Sequence, residues 1–222
     1  MTDRVRMNTV SLATAALSQS PSFWHAGTDL LRSKSLDRNS YDSGDWFNAI
    51  DWSGRDNGFG RGLPMAADNE DKWPLQGPLL ADPALKPTPD DIAFASAQAS
   101  ELLELRHSTD LFRLGSAELI REKVTFPGSG PDAVPGVITM SIDDRAGRSD
   151  VDRRLDGVLV VFNASPTSAT VEVPELAGRD YALSRVQARG ADAVVQGTEW
   201  DAADGTVAVP ARTVAVLTDA RG

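Results

Sequence analysis

The chain has 222 residues, a formal net charge of −10 and no cysteine. That length suits one large domain or two small ones. Scattered Lys and Arg on an acidic background argue against nucleic acid and anionic membrane as partners, and the lack of cysteine excludes a disulfide framework, a thiolate nucleophile and a cysteine-bound metal.

No apolar run approaches a membrane span. The first 19 residues make a poor export signal, because Asn8, Thr9, Ser11 and Thr14 break their apolar part. Any export signal is expected upstream of this chain, and the compartment stays open. Residues 3–18 are expected to be helical, with Leu12, Ala13, Ala16 and Leu17 on one face. Ser20 to Gly27 (SPSFWHAG) reads as a short buried strand, although Pro21 cannot donate to a sheet ladder.

From Thr28 to Pro87 almost nothing is periodic, and Gly and Pro punctuate the run repeatedly. Four of the five tryptophans (Trp24, Trp46, Trp52 and Trp73) lie in or beside it, a composition unlike disorder. An irregular segment this long is rare inside a self-contained domain, so a loop folded over a larger body is expected. Within it, Leu30 to Asn48 (LLRSKSLDRNSYDSGDWFN) sets Arg32, Lys34, Asp37, Arg38, Asp42 and Asp45 beside Tyr41, Trp46 and Phe47. Aromatic faces next to directional charges and amides suit a carbohydrate cleft, where rings stack on sugar C–H faces and polar groups take the hydroxyls.

Thr88-Pro89-Asp90-Asp91 is a helix start, with threonine at the N-cap, proline in the first turn and an acid three residues after the cap. Ile92, Ala95, Ala99, Leu102, Leu103 and Arg106 then keep helical spacing to about His107. After Leu111 short β-branched runs recur between turn signals: Val124–Phe126, Gly136–Ile142, Gly157–Asn163, Thr170–Val173, Thr206–Val209 and Thr213–Thr218. That spacing predicts an antiparallel sandwich, with a boundary between Arg106 and Leu114.

Leu30–Asn48, together with GLP (Gly62–Pro64), ADNEDKWPL (Ala67–Leu75), LFRLGSAELI (Leu111–Ile120), VTFPGSGPDAVPGVITMSIDD (Val124–Asp144), VVFNASP (Val160–Pro166) and VPARTVAVL (Val209–Leu217), closely resembles pullulanases and limit dextrinases. These are debranching enzymes of the alpha-amylase superfamily of glycoside hydrolases. The resemblance implies an α+β fragment: residues 1–110 as the final helix–strand–helix of a (β/α)8 barrel with a long substrate loop, and 111–222 as an all-β antiparallel sandwich. It also implies that residues 20–27 form the last barrel strand, between the helices at 3–18 and 88–107. The family usually reads Gly-Ile-Pro where this chain has Ser20-Pro21-Ser22, which puts the local geometry in question.

The implied activity is hydrolysis of α-1,6 branch points in pullulan, amylopectin or limit dextrins with retention of configuration. Retention needs two carboxyl groups about 5 Å apart. No stretch here matches the family's nucleophilic aspartate, acid/base glutamate or His-Asp-Asn motif, so the catalytic residues are expected upstream of Met1 and the isolated chain is expected to be inactive. Its partners would be an α-glucan and the N-terminal part of the barrel.

The limit-dextrinase pattern further implies that Arg38 (Leu-Asp-Arg) and Asp71 (Asn-Glu-Asp) hold glucose units on the non-reducing side of the cut. A guanidinium fork and a carboxylate can each take two hydroxyls of one ring. Arg38 can equally pair with Asp37, Asp42 or Asp45 and only fix the loop. Trp46 and Trp73 read as stacking platforms or as apolar anchors, and Phe47 as an anchor. Asp45 and Asn48 can contact sugar or hold loop backbone, and Asp68 and Glu70 read as solvated charges. His25, at the presumed strand end, can line the cleft or serve as a structural histidine.

No cofactor or metal site is expected. His107 ends a helix and favours its dipole. Asp143, Asp144, Asp150 and Asp152 read as a solvated hairpin loop, because they lack the ligand spacing of a calcium loop; calcium, which the family allows, finds no support in them. Two other readings stay open: a non-catalytic α-glucan-binding module, and a truncated remnant without activity. If residues 1–110 carry barrel faces, the full chain should expose apolar surface, and a chain cut near Leu111 should give a soluble sandwich.

Overall fold

The computed structural model describes all 222 residues, Met1–Gly222. Two compact units divide the chain. Unit 1 comprises Met1–Asn8 and Trp24–Ala97; unit 2 comprises Thr9–Phe23 and Gln98–Gly222.

The first helix, α1, spans Thr2–Ala16. The apolar face read from its spacing is buried: Leu12, Ala13, Ala16 and, one residue past the end, Leu17. The long helix α5 spans Pro89–Ser108. Its start is closed reciprocally: Asp91 N donates to Thr88 Oγ1 (3.2 Å), while Thr88 N and Oγ1 donate to the Asp91 carboxylate (2.9 and 2.7 Å). Such a box satisfies donors that have no partner within the helix. Ile92, Ala95, Ala99 and Leu102 are buried as the spacing requires, but Leu103 is exposed and Leu105 takes its place inside. In unit 2, buried Arg106 donates to the carbonyls of Ala16 (2.6 Å), Ser18 (2.8 Å) and Ser20 (2.9 Å). It thereby serves carbonyls left without helical partners at and beyond the end of α1.

The strand expected over Ser20–Gly27 does not form. Phe23 is 91% exposed, His25 is exposed, and Trp24 Nε1 lies buried without a partner. A barrel strand draws its hydrogen bonds from neighbours on both sides. No strand flanks this one, and Pro21 lacks a donor.

Residues 28–87 are less featureless than their sequence suggested. Three short helices punctuate them: α2 (Gly44–Asn48), α3 (Ala66–Asn69) and α4 (Trp73–Ala81). The last forms around two prolines. Pro74 sits in the first turn, where its missing N–H costs nothing, and Pro78 forgoes one bond inside the helix. Much of the rest is held by buried polar side chains. Ser35 Oγ donates to Gly58 O (2.8 Å), and Asn57 Nδ2 donates to Leu31 O (2.8 Å). Gly58 has φ 85°, and a Cβ there would stand 2.8 Å from Ser33 O, so the position admits no side chain.

In unit 2, α6 (Ala117–Lys123) leads into strands β1 (Val124–Thr125), β2 (Val137–Asp143) and β3 (Leu155–Asn163). Then come β4 (Ala169–Glu172), β5 (Tyr181–Leu183), the single turn α7 (Arg185–Ala188), β6 (Glu199–Asp201), β7 (Thr206–Val209) and β8 (Thr213–Ala220). They make a five-stranded sheet, β1-β2-β3-β8-β5, and a three-stranded sheet, β4-β7-β6, antiparallel throughout. Leu159 and Val161 of β3, Ala215 and Leu217 of β8, Val171 of β4 and Val207 and Val209 of β7 share one core. Alternate residues Val158, Val160, Val214 and Val216 are buried as well, which is why β3 and β8 read as continuous apolar runs rather than alternating ones.

The acidic loop between β2 and β3 departs from the solvated hairpin expected of it. Asp144 and Asp152 are buried. Asp144 pairs with fully buried Lys123 (3.0 Å) and accepts from the N–H groups of Val151 (3.0 Å) and Asp152 (2.8 Å). Asp143 pairs with Arg179 (3.0 Å), Asp150 with Arg221 (2.8 Å) and Asp152 with Arg154 (3.4 Å). Asp143, Asp144 and Asp150 fold the loop back onto cations distant in sequence, a pairing that spacing cannot reveal. No cluster of three or more His, Cys, Asp or Glu side chains is placed to hold a metal ion, and no helix is long and apolar enough to cross a membrane.

Candidate functional site

The site residues named from sequence, His25 included, all lie in unit 1. The segment that carries Arg38 is reached through a strained turn. Ser35 and Leu36 adopt the left-handed region (φ 49° and 62°), which non-glycine residues rarely enter. Surrounding bonds enforce it: Ser35 Oγ is buried against Gly58 O, and Leu36 O accepts from Gln76 Nε2 (3.1 Å). The chain emerges with Asp37 turned inward and the Arg38 side chain 75% exposed.

Asp37 borders one of the depressions that Arg38 lines, but its carboxylate is occupied by protein donors. Its carboxylate accepts from Asn39 N (3.2 Å), from Asn69 Nδ2 (2.9 Å) and from Ser43 Oγ. Burial acts to raise its pKa, but the bonds from Ser43, Asn69 and Asn39, with the charge of Lys34, outweigh that and hold it below the usual carboxylate range.

Arg38 lines two open depressions. One, of about 440 Å³, is bounded also by Lys34, Asn39, Tyr41 and Asn48. The other, of about 590 Å³, is bounded by Arg38 and the stretch Ala66–Asp71. The structure thus brings Arg38 and Asp71 to one hollow although 32 positions separate them in sequence. Asp71 is exposed and hydrogen-bonded to Lys72, which with the charge of Arg38 keeps its pKa low. Arg38 pairs with Asp68 at 3.6 Å, so Asp68 holds the guanidinium from the side rather than standing free in solvent. Glu70 is exposed on the rim of the same hollow.

Asn48 spends both amide hydrogens on loop backbone, at Ser40 O (2.7 Å) and Gly44 O (3.0 Å), while its backbone carbonyl accepts from Arg32. Trp73 is half-buried with Nε1 on Pro64 O (2.8 Å), an anchoring contact. Trp46 is 64% exposed; its Nε1 donates to Arg61 O (3.2 Å), and the Arg61 guanidinium lies 5.9 Å from its ring centroid. Phe47 is half-buried and Asp45 exposed in the first turn of α2. His25 is exposed, with its carbonyl accepting from Thr28 N and Oγ1 (3.1 and 2.7 Å), and it borders neither hollow. Sequence reading passed over the buried amides of Asn69 and Gln76 and the cationic lid Arg61. Asn69 lies inside the quoted ADNEDKWPL motif, two residues before Asp71, and proximity was the one signal available for it.

The arrangement brings Arg38 together with Asp68, Glu70 and Asp71 at one hollow, while Trp46, exposed beside Arg61, borders neither depression. Residues 54–220 match the family described as "Alpha-1,6-glucosidases, pullulanase-type, C-terminal". Over 99% of its length the chain is 42% identical to a chloroplastic pullulanase of Arabidopsis thaliana, covering 23% of that protein. It is 42% identical to a pullulanase of Klebsiella pneumoniae over 96% of its length, covering 19% of that protein. Among solved structures, PulA of Klebsiella oxytoca superposes with a TM-score of 0.89 at 39% identity, covering all of this chain and 21% of that one. A maltotriose complex of PulA from Klebsiella pneumoniae superposes at 0.88 with 38% identity, covering 99% and 23%. The chain belongs to the pullulanase-type alpha-1,6-glucosidases and corresponds to their C-terminal region. It spans about a fifth to a quarter of the length of these relatives.

Proposed function

We propose that these 222 residues are the C-terminal portion of a debranching enzyme that hydrolyses α-1,6-glucosidic linkages in pullulan, amylopectin or limit dextrins with retention of configuration. Residues 1–110 belong to the end of its catalytic barrel and 111–222 to the sandwich that follows in sequence. The chain supplies substrate contacts and barrel closure; the catalytic carboxylates lie on barrel segments outside these residues, so the chain alone does not cleave. The observation that carries this reading is the meeting of Arg38 and Asp71 at one exposed hollow in a chain of this family. Arg38 and Asp71 hold one glucose unit, and Trp46 offers its exposed face to a neighbouring one.

Release of reducing ends from pullulan by the purified chain, beside an intact pullulanase, tests it. The expected result is no release, together with maltotriose binding that weakens on Arg38→Ala or Asp71→Ala. Sustained release that vanishes when a carboxylate within this chain is changed would overturn the assignment.

A further inference from the structure

The two proposed glucose contacts hang on one buried side chain. Asn69 is 1% exposed, and its carboxamide has every hydrogen-bonding position filled. Nδ2 donates to Asp37 Oδ1 (2.9 Å) and Met65 O (3.0 Å); Oδ1 accepts from Arg38 N (3.1 Å) and Gln76 Nε2 (3.4 Å). Two donors and two acceptor sites are all that an amide has. Turned over, it would set N–H against the N–H of Arg38 and oxygen against the Asp37 carboxylate, so only one orientation is permitted. Asn69 closes α3 and stands two residues before Asp71, while its oxygen grips the backbone of Arg38 itself.

We propose that Asn69, oriented by Asp37, is the positioning residue that holds Arg38 and Asp71 together at one hollow. This rests on the glucan reading above. The half-buried Asp37 carboxylate, occupied by Asn69, Ser43 and Asn39, acts through those contacts. A residue needed only for folding would change stability; a positioning residue also changes the affinity of a ligand it never touches.

Two measurements on the full 222-residue chain separate the claims: hydrogen–deuterium exchange across residues 36–43 and 68–72 without ligand, and calorimetric titration with maltotriose. Asn69→Ala is expected to speed exchange at Arg38 and to weaken maltotriose about tenfold, as Arg38→Ala does. Should Asn69→Ala fail to fold, Asp37→Ala, which removes the acceptor that orients Asn69 Nδ2, replaces it with the same expectation. If Arg38→Ala weakens binding and neither positioning variant does, positioning is overturned and the glucan reading stands. If the unmodified chain does not bind maltotriose, or Arg38→Ala leaves binding unchanged, the glucan reading falls and takes the ligand half of the proposal with it. Exchange at Arg38 that is indifferent to Asn69 overturns the positioning half in every case.

Discussion

Lys123 Nζ is closed off from solvent and donates to the carbonyls of Asp144 (3.1 Å) and Ala146 (2.8 Å) beside its pairing with the Asp144 carboxylate. Taking both ions out of water is costly, and the extra bonds make the arrangement tolerable. Lys123→Met would strand Asp144 with only Arg221, at 3.9 Å, as a distant cation. The expected loss is about 3–5 kcal/mol, read from urea unfolding; a loss below about 1 kcal/mol would show the pair to be dispensable. Arg38 is the contrasting case. Its guanidinium is largely exposed, with one long ion pair. Arg38→Ala should leave stability within about 0.5 kcal/mol while weakening maltotriose, which separates a binding residue from a structural one.

At the scale of elements, the reciprocal cap of α5 invites a direct check. Thr88→Ala removes the acceptor for Asp91 N and should cost about 1 kcal/mol of unfolding free energy; no change would mean that the helix start is held by its packing alone. Elements with strong period were legible in the sequence: α1, α5 and the strands β2, β3, β4, β7 and β8 fall where their patterns put them. The short β5 and β6, three residues each, were not. They exist through pairing with β8 and β7, and three residues cannot display a period. The same cause works in reverse at Ser20–Gly27, where an apolar run lacks the neighbours that would make it a strand. Arg179 shows what pairing alone can build. It reaches Asp219 (2.5 Å) and Asp143 across the sheet, over the space left by Gly157, where a Cβ would stand 2.7 Å from its guanidinium.

For the molecule as a whole, acid should unfold the chain in a defined window. The carboxylates of Asp37 and Asp152 are held low by hydrogen bonds that outweigh burial, Asp150 by Arg221, and Asp156 by Arg145 and Arg221. A carboxylate whose folded pKa is depressed stabilises the fold above its unfolded value and loses that contribution as pH falls through the folded one. Urea midpoints should therefore decline from about pH 4 downward. Glu101, whose pKa burial raises, works the other way, giving stability that fades as pH rises through its folded value. Arg221→Ala should flatten the acid decline, since Asp150 and Asp156 lose a shared partner; an unchanged slope would show that Arg221 does not set it. Tyr41, Trp52, Leu75 and Met65 stand exposed in unit 1. The full chain should therefore bind a hydrophobic dye or self-associate, and a dye-silent monomer by light scattering would count against residues 1–110 carrying faces that belong against further barrel.

The sequence by itself determined the family, the two helices with strong patterns and the sandwich, because periodic burial and long ordered motifs are local signals. It also located the Arg38 and Asp71 motifs, though not what each neighbour does. Which residues of 28–87 stand open at a hollow and which hold backbone was decided only by tertiary structure. That stretch is fixed largely by single side chains such as Asn48, Asn57 and Asn69 bonding to partners many positions away. An amide at such a post reads in sequence no differently from one that faces solvent, so its role exists only once the chain has closed around it.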